Sequence, residues 1–279
     1  MPNPTRPIGR PTKGKTTRNR LRRVDIFLIR YASNLIKRQD GDYESSYFID
    51  LGFGKEPHTT LESANQFKKI NPQIKVLGVE IDPERVEAAQ TYQTDDLKFR
   101  HGGFNLPLYA GESARMIRVF NVLRQYDESQ VSDAYRSLMS SLLPEGLLIE
   151  GTSDPYGRLW TANLVRKTTH DEPWYQAFVL STNFRWGFEP TQLQSVLPKN
   201  LIHHLQQGEP IERFFSDWKE STQRTIGHKQ YGLRQWFTEA AHTLQERGYH
   251  IDTRKKFLRS GFLVWKYPEI QLLRPADEA

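Results

Sequence analysis

The chain of 279 residues contains no cysteine, so neither a disulfide framework nor a thiolate metal site is possible. No apolar run approaches the roughly 18 residues that a membrane span needs. Arg22-Arg23 and the short apolar run 26–29 imitate a secretion signal, but Asp25 and Arg30 interrupt the pattern. We therefore expect a cytoplasmic protein with no membrane partner. A hydrophobic content of 37% excludes a disordered chain and suits one large globular domain, with or without an elaboration.

The positive charge is concentrated at the N-terminus. Residues 1–24 carry a net +8 and no acid, which leaves −2 for the rest of a chain whose total is +6. This basic composition, rich in Pro, Gly and Thr, predicts a flexible tail over residues 1–20 that is disordered on its own. The charges of residues 6–23 indicate contact with nucleic acid or another anionic surface; a solubilising tail without a partner is the alternative.

Two apolar runs, residues 47–54 and 76–82, have the β-branched and aromatic composition of buried strands. The first passes Asp50 and breaks into a turn containing Gly52 and Gly54, and the second passes Glu80. A strand, a glycine turn, a helix and a second strand with an acid at its end are typical of a βαβ unit that binds a nucleotide.

Helix signals separate the predicted strands. Thr59-Thr60-Leu61-Glu62 predicts a capping box between the first two strands, and Asp82-Pro83-Glu84 predicts a helix with Asp82 as its N-cap. Apolar periodicity predicts a first helix over 21–35, further strands at 97–101, 114–123 and 147–150, and a helix between 131 and 142. This alternation predicts an α/β fold with a doubly wound, parallel sheet and ligands at the carboxyl ends of its strands.

The position of Asp50, two residues before the first glycine, and the absence of a third glycine distinguish the turn from a dinucleotide fingerprint. This arrangement resembles motif I of the class I (Rossmann-like) S-adenosylmethionine-dependent methyltransferases. The resemblance implies S-adenosylmethionine as cofactor and a methyltransferase whose acceptor, a small molecule or a nucleic acid, the sequence does not identify. The oligomeric state also stays open.

The resemblance covers residues 45–154 and 229–267. Its further segments are 99–107, 121–126 and 142–149 near the third to fifth strands, and 249–251 and 262–265 as closing strands. It implies a seven-stranded, mostly parallel sheet with an antiparallel last strand. The core is then formed by residues 21–154 and 229–267, with an insertion at 155–228 and a C-terminal tail at 268–279.

In this family the acid after the second strand binds both ribose hydroxyls, and Glu80 occupies that position. A carboxylate suits this role because it accepts two hydrogen bonds in parallel. Gly103 stands where many members place an acid that holds adenine, so we expect adenine to meet backbone groups and the ring of Phe104. The implied cofactor residues are Asp50, which would orient the amino group of the cofactor, and Gly52, Gly54, Glu80, Ile81, Gly103, Phe104 and Asn121.

Residues 155–228 are not required by the core fold. They predict a hairpin of strands 158–167 and 174–182, followed by helices at 190–206 and 210–221, with many aromatic residues. Such an insertion predicts an acceptor pocket, a lid or a dimer surface; a small satellite core is the alternative.

Methyl transfer from a sulfonium depends mainly on positioning and desolvation, so the sequence need not contain an obvious catalytic residue. The candidates near the strand ends are Asn121, Arg124, Asp154 and Tyr156, although Ser153-Asp154-Pro155-Tyr156 also has the pattern of a turn. No spacing among the histidines matches a metal site. The alternative function is a methyltransferase-like module without activity that binds nucleic acid through its basic tail.

Overall fold

A computed structural model describes residues 6–12, 17–169 and 173–266. The predicted hairpin turn at 170–172 and the C-terminal tail at 268–279 lie outside the described residues. The strands are β1 (Tyr47–Leu51), β2 (Lys75–Glu80), β3 (Leu97–His101), β4 (Ala114–Phe120), β5 (Leu142–Ser153), β6 (Leu159–Lys167), β7 (Pro173–Thr182) and β8 (Phe262–Lys266). The helices are α1 (Arg22–Tyr31), α2 (Ser33–Lys37), α3 (His58–Lys68), α4 (Pro83–Ala89), α5 (Ser129–Ser140), α6 (Lys199–Ile202), α7 (Pro210–Arg224), α8 (Leu233–Glu246) and α9 (Lys255–Leu258).

All eight described strands form one mixed sheet in the order β3-β2-β1-β4-β5-β6-β7-β8. The neighbours from β3 to β5 are parallel, and those from β5 to β8 are antiparallel. The α/β fold is therefore confirmed, but the prediction of seven strands with one antiparallel strand is wrong. The predicted strand at 249–251 forms only an isolated bridge between Ile251 and Trp265.

The hairpin predicted within an insertion belongs to the main sheet. β6 pairs with β5, and β7 joins β6 to the edge strand β8. The physical reason is burial, because residues 160–165 are buried along the whole run and need cover on both faces of the strand. The structure therefore does not confirm a separate insertion at this hairpin.

Helices cover both faces of the sheet. Apolar residues of α1 to α4 pack on one face around Phe27 and Phe67, while α5 packs on the other face of the parallel half. A further aromatic cluster around Trp218 joins α7 and α8 to the antiparallel strands. The predicted first helix is divided at Ala32 into α1 and α2. The helix predicted at 190–206 is a 3₁₀ turn, Pro190–Val196, followed by the short helix α6.

Two predicted helix starts have different outcomes. α4 begins as predicted, with the Asp82 carboxylate accepting bonds from the backbone N–H groups of Glu84 and Arg85 at 3.0 and 3.4 Å. The capping box at Thr59 is wrong, because α3 begins at His58 without a side-chain cap. The hydroxyl of Thr59 instead donates to Asp50 in β1, a buried acceptor that is charged and therefore stronger. Among the described residues, no helix is long and apolar enough to span a membrane.

Candidate functional site

The turn after β1 brings the backbone close to the end of the sheet. Gly52 and Gly54 have φ angles of +79° and +83°, a conformation that favours glycine. A Cβ atom on Gly52 would lie 2.6 Å from Cγ2 of Val122, so a side chain there would have to displace the loop after β4. The predicted glycine turn is present and leaves room beside it at the carboxyl ends of β1 and β4.

Asp50 is 2% exposed and is surrounded by side-chain donors. Its Oδ2 accepts bonds from the hydroxyls of Thr59 and Thr60 at 2.9 and 2.8 Å. Arg118, fully buried in β4, binds both carboxylate oxygens of Asp50 at 3.0 and 2.9 Å. The same guanidinium lies 2.6 Å from Asp25 of α1, and burial raises the pKa of Asp25 to about 7 against the opposing effect of Arg118. Asp50 therefore connects β1 directly to α3 and β4, and through Arg118 to α1.

Glu80 ends β2 in a different environment. Its carboxylate is 1% exposed and accepts bonds from the backbone N–H groups of Gly54 and Ile81 at 2.8 Å each and of Asp82 at 3.3 Å. Among the described residues the nearest cation is Arg85, 3.8 Å away. A carboxylate has about four acceptor positions, and these three bonds leave capacity for a further donor.

Two cavities lie along the carboxyl ends of the strands. The large cavity has a volume of about 310 Å³. It is lined by Thr12, Arg20, Leu21, Asp50, Gly52, Phe53, Thr59, Phe120, Asn121, Arg124 and Gln125. The small cavity, of about 20 Å³, is lined by Ile8, Gly9, Arg10, Thr12, Leu51, Gly52, Glu80, Ile81, Gly102, Gly103, Phe104, Val122 and Tyr126. Apart from Gly54, every cofactor residue implied by the resemblance lines one or both of these cavities.

Part of the predicted flexible tail closes the small cavity. Residues 6–12, here called the N-terminal segment, lie against the loops after β3 and β4. The backbone N–H of Phe104 donates to the carbonyl of Ile8 at 2.8 Å, so the group expected to meet adenine is already bonded within the chain. The ring of Phe104 is buried against the ring of Tyr126, with centroids 5.2 Å apart.

The structure brings two of the four catalytic candidates to the large cavity. The side-chain amide of Asn121 accepts from the backbone N–H of Ser153 at 3.0 Å and donates to its hydroxyl at 3.2 Å, which fixes the orientation of that amide. Arg124 is exposed at the cavity, where its Nη1 donates to the carbonyl of Ser195 at 2.8 Å. Asn121 itself has a φ of +61°, a rare value for a residue with a side chain.

The other two candidates, Asp154 and Tyr156, line neither of these cavities. Asp154 Oδ1 accepts bonds from the backbone N–H groups of Tyr156 and Arg158 at 3.1 and 2.8 Å. The side chain of Tyr156 is 61% exposed and lies against the guanidinium of Arg158, 4.6 Å from ring centroid to Cζ. This segment forms the turn that the sequence pattern also indicated.

Sequence reasoning missed two arginines of the site. Arg20, assigned to the tail, lines the large cavity, where its Nε and Nη2 donate to the hydroxyl and carbonyl of Ser153 at 3.1 Å each. Burial lowers the pKa of Arg20, while Asp154 opposes this effect. Arg118 had a detectable signal, because a charge in the middle of an apolar strand needs buried partners, either an acid or hydrogen-bond acceptors. Among the described residues, no group of three acidic or histidine side chains is arranged to hold a metal ion.

No family model matches this chain, and no curated protein matches it. Similar solved structures include a candidate sarcosine dimethylglycine methyltransferase from Galdieria sulphuraria, with 16% identity over 47% of this chain and 46% of that chain, and a TM-score of 0.36. The N-methyltransferase NodS from Bradyrhizobium japonicum is 18% identical over 47% of this chain and 67% of its own (TM-score 0.32). Human N-acetylserotonin methyltransferase, solved with SAM, is 21% identical over 41% and 32% (TM-score 0.31).

These three structures are methyltransferases by name. The match spans less than half of the Galdieria and human chains. With TM-scores below 0.5, the likenesses are insufficient to assign an activity to this chain.

Proposed function

We propose that this protein is an S-adenosylmethionine-dependent methyltransferase with an acceptor still to be identified. The observation that carries the proposal is the environment of Glu80. Burying a carboxylate is costly unless it is paired or hydrogen-bonded, and this one is held by backbone N–H groups, with Arg85 as the nearest cation of the described residues at 3.8 Å. Glu80 lines the small cavity and its carboxylate has capacity left for one further donor, which suits a hydroxyl of a ribose.

The remaining parts of the site fit the other groups of this cofactor. The glycine turn exposes backbone at the large cavity, where the methionine part would lie beside Gly52. Arg20 supplies a guanidinium for the cofactor carboxylate, since arginine binds carboxylates with parallel hydrogen bonds. The ring of Phe104 supplies an apolar surface for adenine beside the small cavity.

When bound, S-adenosylmethionine supplies a methyl group on a sulfonium, which is already activated for in-line displacement. The protein then has to orient the acceptor and keep water away. The rings of Phe53 and Phe120 line the large cavity and reduce its hydration, while the fixed amide of Asn121 offers an oriented dipole. Arg124, exposed at the same cavity, is placed to meet an acceptor that enters from solvent. These residues act by positioning and require no general base.

Calorimetric titration with S-adenosylhomocysteine tests the proposal. Glu80→Ala removes the ribose acceptor, and we expect affinity to fall at least tenfold, about 1.4 kcal/mol. Glu87→Ala, at an exposed position of α4, is the matched control and should bind as the natural chain does.

A second pair of variants tests the glycine turn. Gly52→Val introduces a side chain against Val122 at a φ of +79°, and we expect binding to be lost. Gly208→Val introduces comparable backbone strain at a φ of +94° with nothing within 4 Å, so binding should persist. Unchanged binding in both Glu80→Ala and Gly52→Val would contradict the proposed function.

A further inference from the structure

The N-terminal segment is attached to two loops and to helix α4 around the small cavity. The Ile8 N–H donates to Asn105 Oδ1 at 2.7 Å, and the Ile8 carbonyl accepts from Phe104 N–H at 2.8 Å. Asn105 Nδ2 donates to the Arg6 carbonyl, and the Arg10 N–H donates to the Tyr126 hydroxyl. Gln125 Nε2 donates to the Arg10 carbonyl, and the Arg85 guanidinium donates to the Thr12 carbonyl. The segment therefore spans helix α4 and the loops after β3 and β4, where the nucleoside of the proposed cofactor would bind.

The segment and the surface beneath it fit closely at two glycines. A Cβ atom on Gly103 would lie 2.1 Å from the carbonyl oxygen of Ile8, so only glycine allows this approach. On the segment itself, Gly9 has a φ of +147°, and a Cβ atom there would lie 3.1 Å from Cδ1 of Ile81 and 3.2 Å from the hydroxyl of Tyr126. This surface therefore binds the N-terminal segment specifically, and the bound position is here called the seated form.

The seated segment and a nucleoside compete for the same space. The small cavity has a volume of about 20 Å³, whereas pockets for small ligands measure roughly 300 Å³ or more. Its walls include Ile8, Gly9 and Arg10 on one side and Glu80 and Phe104 on the other. An adenosine held by Glu80 and Phe104 requires the segment to leave.

The N-terminal segment is held by contacts that allow it to detach from the small cavity. The bonds are made mainly by backbone groups of the segment, while the side chain of Ile8 is 57% exposed and those of Arg6 and Arg10 are exposed as well. Segments with little buried apolar surface have low local stability and open without global unfolding.

We propose that the N-terminal segment is an intramolecular occupant of the nucleoside subsite, and that S-adenosylmethionine binds only after displacing it. This inference rests on the proposed function, because the competing ligand is the cofactor proposed above. Cofactor affinity is then reduced by the fraction of molecules in which the segment is seated; seating in nine molecules of ten weakens it about tenfold.

Hydrogen exchange of the full chain, with and without S-adenosylhomocysteine, tests the direction of the change. The N–H groups of Ile8 and Arg10 are bonded in the seated form. We expect the ligand to make residues 6–12 exchange faster while residues 80–82 exchange more slowly. Slower exchange at residues 6–12 would overturn the proposal, because it would show that the segment closes over the ligand.

Titration with S-adenosylhomocysteine gives the size of the effect. Removing residues 1–12, or substituting Ile8→Pro to delete one N–H donor, should tighten binding several-fold, while Ile8→Ala keeps the backbone bonds and should leave affinity unchanged. Equal or weaker binding after both changes overturns the displacement proposal but leaves the proposed function standing. Absence of binding in the full and the shortened chain overturns both.

Discussion

Asp50 and Glu80 are acids in neighbouring strands, and both resemble cofactor ligands in the sequence, yet the structure gives them opposite surroundings. Asp50 meets a buried guanidinium and two hydroxyls that join four elements. Glu80 is hydrogen-bonded by backbone N–H groups, lines the small cavity and has Arg85 at the longer distance of 3.8 Å. A buried acid neutralised by side chains from several elements stabilises the fold, whereas one held by backbone donors beside a cavity is suited to a ligand.

A third buried acid, Glu150 in β5, extends the comparison. Its Oε2 accepts bonds from the hydroxyl of Tyr135 at 2.8 Å and the amide of Asn163 at 3.3 Å. These neutral donors do not offset burial, which raises the pKa of Glu150 to about 7. Asp50 is thus paired with a guanidinium, and Glu80 is held by backbone donors. Glu150 is bonded by neutral side chains that leave its carboxyl close to protonation at neutral pH.

Arg118→Met should have the largest effect, because it leaves Asp25 and Asp50 buried together without their cation. We expect the free energy of unfolding in urea to fall by about 3–5 kcal/mol. Arg136→Met, which breaks an exposed ion pair with Asp133, should cost less than about 1 kcal/mol. Similar losses in the two variants would show that the buried ion pairs of Arg118 stabilise the fold no more than an exposed pair does. That result would contradict the structural role assigned to Asp50 in contrast to Glu80.

Glu150→Gln should alter the dependence of stability on pH. Since the folded state raises the pKa of Glu150 from 4.5 to about 7, its stabilising contribution is full below pH 4.5 and is lost as pH rises through 7. The slope reaches at most about 1.4 kcal/mol per pH unit. Urea unfolding at several pH values should show that Glu150→Gln reduces the measured slope by up to this amount, while the part due to Asp25, whose pKa is also raised to about 7, remains. Glu246→Gln, at an exposed position, should retain the full slope. An unchanged slope in Glu150→Gln would refute this assignment.

Thr60→Val should have a smaller effect. It deletes one of the two hydroxyl bonds to Asp50 and keeps the shape of the fully buried side chain. We expect a loss of about 1.5–3 kcal/mol in the free energy of unfolding, the range for a bond to a charged group. Thr238→Val removes a hydroxyl that bonds only within its own helix and should change stability little. Equal effects would show that Asp50 does not depend on Thr60.

Local signals in the sequence were sufficient where the partner is near in the chain. Asp82 and Pro83 specify the start of α4 within four residues, and the glycine turn after β1 follows from its own residues. The capping box at Thr59 failed because a distant partner, Asp50, takes the hydroxyl. That partner is supplied by strand packing, which local pattern does not specify.

Long-range placement explains the remaining differences. The hairpin of β6 and β7 was recognisable, but its position within the main sheet depends on pairing with β5 and β8. Composition predicted disorder for residues 6–12, yet these residues are held by backbone hydrogen bonds, which composition does not reveal. The cofactor residues implied by the resemblance line the two cavities, apart from Gly54, because the resemblance supplied the order of the motifs along a parallel sheet as well as the motifs themselves.

A crystal structure of the protein with bound S-adenosylhomocysteine tests the central claim most directly. The account predicts a ribose hydroxyl on the carboxylate of Glu80, the homocysteine part in the large cavity beside Gly52, and residues 8–10 away from Phe104. Ligand bound elsewhere, or a Glu80 carboxylate that contacts no part of it, would contradict the account.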